Sequence, residues 1–345
     1  MNRRLAIIII SFIVLSGLGI AGWFYYNANI VNRDTTLAAF PNKRNSIIYR
    51  TYLGNYFDGE DVKVKLYSKD LKSGEFKIFD NNFTNFGETS GRDIIQKIAN
   101  KEFDGGVVDG GAFLFAVNRN LPIAVVTGLG YNQALNRNFI LRKDIKIGSP
   151  GEMKGMTFLS QSGSQEEVMY LKEFFKSAGM DPAVDVKIID QVNSAKSLEL
   201  LKEKKVDGGI YKSRDIETIL KEDTGYVYRQ MDWLDPRLNF SVLVFNQDFI
   251  KNHTDKVEKI IRAYGKRLKY EKDRPDFQKN LSETGVEFVI GDWKEIGALP
   301  EYDYPPVVNV DRLYQLQDLE IKYGVINKKA RIEDYINNSF AESIR

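Results

Sequence analysis

Two stretches of this chain gather small polar residues with the spacing of a ligand cradle. In Asp109-Gly110-Gly111-Ala112-Phe113 an apolar run ends and a helical pattern begins, so free backbone N–H groups and missing side chains let a small molecule approach closely. In the stretch SQSGSQEEV, Ser160, Ser162, Gly163, Ser164 and Gln165 bring hydroxyls, an amide and backbone donors to another helix start. The chemistry on offer is capture by hydrogen bonds and close packing. Each stretch also has a purely local explanation. The first is equally a tight turn, and Ser164 with Glu167 has capping-box spacing, while Glu166 and Glu167 offset the positive helix end. Ser162, Gly163 and Gln165 are therefore the expected contacts, and Ser164 the expected cap.

A second set follows the same logic. Tyr211, Lys212, Ser213 and Arg214 come after another apolar run, where a cationic pair suits a sulfonate, carboxylate or phosphate-like group and Tyr211 suits an aromatic wall. The competing reading makes Lys212 and Arg214 solvated surface charges. Tyr131 and Asn132 follow TGLG, and Arg237 and Asn239 precede FSVLVFN; both pairs are candidate ligand contacts. Trp293, Tyr302 and Tyr304 lie in a Pro- and Gly-containing stretch whose rings are expected to pack on the body of the protein, with capping of a ligand site as the alternative.

Other chemistries are poorly supplied. There is no cysteine, which excludes disulfides, thiolate nucleophiles and sulfur-based zinc sites. The single histidine, His253, lies in KNHTDKV and reads as a surface residue at a helix start, not a general base. The sequence contains no nucleophile-elbow, phosphate-loop or HExxH motif. DNNFTNFGETSG departs from a calcium loop at Asn85, where glycine is needed, and at Gly91, where glutamate is needed. Neither a cofactor nor a metal is expected. The formal charge is only +2, contributed by Arg3 and Arg4, and no long block of one sign occurs, so nucleic-acid binding has no electrostatic basis.

The elements that must position these residues are legible as alternation. MNRR precedes an uncharged run from Leu5 to Tyr26, long enough to cross a hydrocarbon layer of about 30 Å. Arg3 and Arg4 favour a cytoplasmic N-terminus, and the aromatic cluster from Trp23 to Tyr26 suits the opposite interface. Residues 1–26 thus read as an uncleaved transmembrane anchor or a signal segment, 27–45 as a tether, and the remainder as extracytoplasmic. From Ser46 onward the expected strands are SIIYRTY, VKVKLY, GGVVD, IAVVTG, NFILRK, MTFLS, VKIID, GGIY and SVLVFN. The expected helices are RDIIQKIANKE, SQEEVMYLKEFFKSAG, SAKSLELLKEKK and TDKVEKIIRAYGKRLKYEKD, each with apolar residues three and four apart. This is an α/β pattern with largely parallel sheets, and 345 residues suit two lobes. EFDGGVVDGG and KVDGGIYKS each follow a helical run with Asp-Gly-Gly and an apolar strand, one copy per lobe, with the glycines expected where φ > 0 is needed.

The order of phrases resembles a known family. IIQKIANKEFDGGVVDGGAFLFAV, then IAVVTGLGYNQALNRNFILRKDIKIGSPGEMKGMTFLSQSGSQEEVMYLKEFFKSAGMDP, LLKEKKVDGGIY, FSVLVFNQDFIKNHTDKVEKIIRAY and LEIKYGVINKKARIEDYINNSF are similar to the substrate-binding proteins of ABC importers for nitrate, sulfonates, taurine and thiamine-precursor pyrimidines. TRAP-associated solute receptors are close to that group. The resemblance implies a two-lobed periplasmic-binding-protein type II fold with hinge strands, which here would follow the N-terminal transmembrane helix. Lobe 1 would comprise residues 46–139 and 242–345 and lobe 2 residues 140–241, with crossings near NFILRK and FSVLVFN. It implies a monomer that takes a small molecule between the lobes and passes it to an ABC permease. The implied ligand contacts are Asp109, Gly110, Gly111, Ala112, Tyr131, Asn132, Ser162, Gly163, Gln165, Tyr211, Lys212, Ser213 and Arg237. Near its start the chain departs from the family, because SIIYRTYLGNYFDGEDVKVKLYSKD offers no clear first strand and ligand loop. The same fold also houses enzymes that rely on histidine or cysteine, and a membrane-anchored sensor is a further alternative.

Overall fold

The computed structural model describes residues 33–344 except 41–43, 71, 81–82, 84–89, 132–136, 162–165, 193, 231–234 and 275–299. The apolar N-terminal segment lies outside the described residues. Among those described, no helix is long and apolar enough to cross a membrane.

The chain runs β1 (Thr35–Ala38), α1 (Ser46–Leu53), β2 (Val64–Lys69), β3 (Phe76–Ile78), α2 (Gly91–Ala99), β4 (Gly105–Asp109), α3 (Gly110–Asn118) and β5 (Ile123–Tyr131). It then builds β6 (Arg137–Arg142), β7 (Thr157–Gln161), α4 (Glu166–Ser177), β8 (Lys187–Val192), α5 (Ser194–Lys202), β9 (Gly208–Lys212), α6 (Ser213–Lys221) and β10 (Gly225–Gln230). It returns with β11 (Phe240–Asn246), α7 (Gln247–Asn252), α8 (Thr254–Lys272), α9 (Val310–Lys322) and α10 (Ser339–Glu342).

Two sheets result, ordered β3-β2-β1-β4-β11-β5 and β10-β6-β9-β7-β8. They share a plan. In the first, β2, β1 and β4 are parallel and β11 runs against β4; in the second, β8, β7 and β9 are parallel and β6 runs against β9. The sheets are therefore mixed, not largely parallel, because the strand returning from the other unit enters each parallel trio from the opposite direction. The chain changes sheet between Tyr131 and Arg137 and again between Gln230 and Phe240.

The repeated Asp-Gly-Gly performs the same task in both sheets. Asp104 Oδ2 accepts the N–H of Thr36 in β1 at 2.9 Å, and Asp207 Oδ2 accepts the N–H of Thr157 in β7 at 2.8 Å. The positive φ expected of the glycines sits instead on Lys101 and Lys204, just past the ends of α2 and α5. The glycines already belong to the strands, where the need is closeness: a Cβ at Gly106 would lie 2.5 Å from the Ala38 carbonyl, and one at Gly208 2.2 Å from the Ile140 carbonyl.

Each sheet is covered on both faces. Ile47, Ile48 and Tyr49 of α1 pack with Val257, Ile260 and Ile261 of α8 on one face of the first sheet. Ile94, Ile95 and Ile98 of α2, the expected stripe, pack with α3 and with Leu313 and Leu316 of α9 on the other. In the second unit Leu171, Phe174 and Phe175 of α4 cover one face, and Leu201, Ile216 and Ile219 of α5 and α6 the other.

Three further expectations are overturned. SIIYRTY is the helix α1, not a strand: it lies over the first sheet beside α8, buried continuously from Ser46 to Thr51, and Arg50 forms a two-pronged pair with Glu271 of α8 at 2.7 and 2.8 Å. The stretch read as a tether contains β1, which is inserted between β2 and β4 with Leu37 and Ala38 buried. His253 is buried, not a surface residue; its ring lies 4.8 Å from that of Phe249.

Candidate functional site

The carboxyl ends of the parallel strands carry the polar residues in both units, the position at which open α/β sheets receive ligands. At the first sheet β4 ends in Asp109, whose side chain caps α3 by accepting the Ala112 N–H at 2.8 Å. The glycines around it make room for carboxylates. A Cβ at Gly91 would stand 2.5 Å from Asp109 Oδ2, and one at Gly111 2.8 Å from Glu320 Oε1 of α9. Burial raises the Asp109 pKa, and the positive charges of Arg44 and Arg92 with the Ala112 N–H oppose that rise without cancelling it. Gly110 has a packing reason to be glycine, since a Cβ there would meet Phe240 at 2.7 Å.

Arg44 stands in the loop after β1 and donates to the Phe240 carbonyl at 3.3 Å. Directly across from Asp109 on β11 is Ser241. Its Oγ is buried without a hydrogen-bond partner among the described residues, as is Asn239 Oδ1 at the start of the same return segment. Tyr131 ends β5 opposite Phe240 and donates to Glu301 Oε2 at 2.8 Å, with the Arg312 guanidinium 4.4 Å from its ring. Burial and the Glu301 hydrogen bond push the Tyr131 phenol up to about 12. Arg237 is exposed and holds Asp235 through Nε and Nη2, at 2.9 and 2.7 Å.

At the second sheet β7 ends in Ser160 and Gln161, both buried. Gln161 Nε2 donates to Ser197 Oγ of α5 and to Asp215 Oδ2 of α6, each at 2.7 Å, so one amide ties three elements together. Tyr211 is fully buried in the unit's core, and its hydroxyl donates to the Ser197 carbonyl at 3.3 Å. Its ring is packed and not an open wall. Ser160 Oγ is buried without a partner among the described residues. Glu167 is buried in the first turn of α4.

Of the residues expected from sequence, the structure brings Asp109, Gly110, Gly111, Ala112 and Tyr131 to the first sheet's carboxyl end. Tyr211, Lys212 and Ser213 stand at the corresponding end of the second, where β9 passes into α6. Asn132, Ser162, Gly163, Ser164 and Gln165 lie outside the described residues, as does Trp293. Tyr302 and Tyr304 pack on the first unit, beside Ser46 and Lys272 respectively. Sequence reasoning missed Arg44, hidden in the supposed tether, and Gln161, Ser197, Asp215 and Ser241. Gln161 was within reach, since it stands inside SQSGSQEEV at the last position of an apolar run. Among the described residues no group of three or more His, Cys, Asp or Glu side chains is arranged to hold a metal ion.

Comparison with solved structures places the fold. The chain is similar to the periplasmic aliphatic sulphonate-binding protein of Escherichia coli, with a TM-score of 0.63 and 11% identity over 88% of this chain and 92% of that one. It is similar to the ligand-binding component of an ABC-type import system from Staphylococcus aureus, solved with zinc bound, with a TM-score of 0.62 and 14% identity over 91% and 99%. It is also similar to the periplasmic nitrate-binding protein of Synechocystis, with a TM-score of 0.63 and 10% identity over 90% and 88%. These likenesses establish the two-sheet α/β periplasmic-binding-protein fold. No curated protein matches the sequence. A family model described as "NMT1/THI5 like" matches residues 84–277, more than half the chain. The chain belongs to the NMT1/THI5-like family.

Proposed function

We propose that this chain is an extracytoplasmic solute-binding protein that takes a small molecule between its two sheet units and delivers it to an ABC-type permease. The observation that carries the reading is the pairing of two polar strand ends on two sheets of the same plan, joined by two chain crossings. Buried hydroxyl and amide oxygens without partners among the described residues stand in both: Ser241 and Asn239 in one, Ser160 in the other. A buried polar atom costs about 1–3 kcal/mol when unsatisfied, so a solute that bonds to these groups recovers free energy from both units at once. That is the condition for ligand-driven closure, because a ligand shifts an equilibrium only by its differential affinity for the two states.

In this reading the first lobe comprises β1 to β5 with β11 to α10, and the second β6 to β10, so the crossings at 131–137 and 230–240 fall a few residues before the boundaries 139/140 and 241/242 expected from sequence. Asp109 to Ala112 and Tyr131 supply the first wall. Ser162, Gly163, Gln165, Lys212 and Ser213 supply the second, with Tyr211 packed behind them in the core and Asn132 and Arg237 at the crossings. Residues 5–26 anchor the chain to the membrane, and it acts as a monomer without catalysis. The named partners of its structural neighbours, sulphonate and nitrate, support a small polar solute.

The test is a thermal-shift screen of the purified protein against nitrate, sulfonates, bicarbonate, amino acids, pyrimidines and flavins, with denatured samples checked for retained solute. A ligand at about 100 times its Kd adds roughly 2.7 kcal/mol, which moves the midpoint by a few degrees in a protein of this size. No shift with any class and no retained solute would sink the proposal.

A further inference from the structure

The helix α4 belongs to the second unit, yet only one of its faces is used there. Tyr170, Leu171, Phe174 and Phe175 pack into that unit's core. The stripe Met169, Lys172, Glu173 and Lys176, spaced i, i+3, i+4 and i+7, meets the first unit instead. Met169 is fully buried in the first unit's apolar cluster, together with Leu316 and Tyr323. Lys172 Nζ donates to the Tyr323 carbonyl at 2.8 Å, Glu173 pairs with Lys322 at 3.1 Å, and the Lys176 ammonium lies 5.1 Å from the Tyr323 ring.

The place of this contact gives it meaning. Tyr323 follows the last residue of α9, and Gly324, at φ 68°, ends the helix. Its carbonyl is therefore at the negative end of the helix dipole, where an ammonium group is favoured. The first turn of α9 is at the chain crossing, with Arg312 over Tyr131. Lys322 comes ten residues later, about 15 Å further along the helix axis. The contact is thus a third link between the units, remote from both covalent crossings and independent of any solute.

We propose that α4 and the end of α9 form a closure latch, which holds the units together before ligand arrives and must open before ligand leaves. The inference rests on the two-lobed reading for its consequence, a higher apparent affinity from a larger closing-competent population, but not for its existence. Met169 and Lys172 carry most of it, since the Glu173–Lys322 pair is largely exposed and solvent-screened.

The experiment uses the full chain without added solute. Because the protein has no cysteine, Ile78→Cys and Val184→Cys, at exposed positions in the first and second units, are the sole attachment points for a distance probe. Lys172→Glu is expected to shift the distance distribution away from that of the parent, and Lys322→Glu to shift it in the same direction by less. The reciprocal variant Glu173→Lys with Lys322→Glu is expected to return it. An unchanged distribution in Lys172→Glu, with parental circular dichroism, overturns the latch. If Lys172→Glu does not fold, Lys172→Met keeps the apolar stem and removes only the ammonium, and the same criterion applies. Failure here would leave solute binding intact, whereas a latch in a protein that binds no solute would count against the transport reading alone.

Discussion

His253 shows how much one residue depends on surroundings that are distant in sequence. It stands before α8, as KNHTDKV suggests, but Phe249 and the neighbouring backbone bury it. Burial is the main cause that lowers its pKa below the usual 6.5, and the charges of Lys256 and Arg33 add to it. The unfolded chain therefore takes up a proton at a higher pH than the folded one. Stability from this group is fully present above about pH 6.5 and is lost as pH falls toward the lowered folded value. As the only histidine, its ring resonances can be followed without ambiguity; a midpoint at or above 6.5 in the native protein would contradict this account. At the same scale, Asp109 was legible because its cap geometry is local, whereas Gln161 needed Ser197 and Asp215, 36 and 54 positions away.

At the scale of elements the informative cases are β1 and α1. Four residues, TTLA, carry too little periodicity to be recognised, yet they sit in the middle of a sheet. SIIYRTYL is rich in β-branched and aromatic residues, but it meets side chains of α8 and of the sheet's face instead of the ladder of a neighbouring strand, and tertiary packing overrides propensity. The consequence for truncation is direct. A chain starting at Arg33 keeps β1, while one starting at Asn42, as the tether reading would allow, exposes the ladders of β2 and β4 and loses Leu37, whose burial alone contributes about 1.5–3 kcal/mol. Urea unfolding should show a cooperative transition for the first and a much lower midpoint, or none, for the second; equal midpoints would show that β1 is dispensable.

Across the whole molecule the two sheets repeat one arrangement. Asp104 and Asp207 each accept an N–H from the first residues of the central parallel strand, and each also pairs with an arginine, Arg33 or Arg142. Replacing either by Ala leaves a strand N–H unpaired, which costs about 1–3 kcal/mol. Asp104 is the more buried and should give the larger loss, with Asp207→Ala destabilising in the same sense. Denaturant midpoints for the two variants test this, and a neutral Asp104→Ala would remove the shared role. The equivalence also explains why a three-residue phrase recurs a hundred positions apart: in both places the chain must leave a helix, bond to a neighbouring strand and pass close beside two others.

What the sequence determined by itself is what short-range order controls. The alternation of strands and helices, the buried stripe of Ile94, Ile95 and Ile98, the helical runs that follow Asp109 and SQSG, and the exclusion of thiol chemistry all follow from residue types within a few positions of one another. Tertiary structure alone decided that TTLA is a strand and SIIYRTYL a helix, that His253 is buried, that Gln161 gathers Ser197 and Asp215, and that Lys172 reaches the Tyr323 carbonyl across 151 positions. These depend on which surfaces are brought into contact once the two sheets have formed, and such contacts leave no periodic trace in the segments that make them.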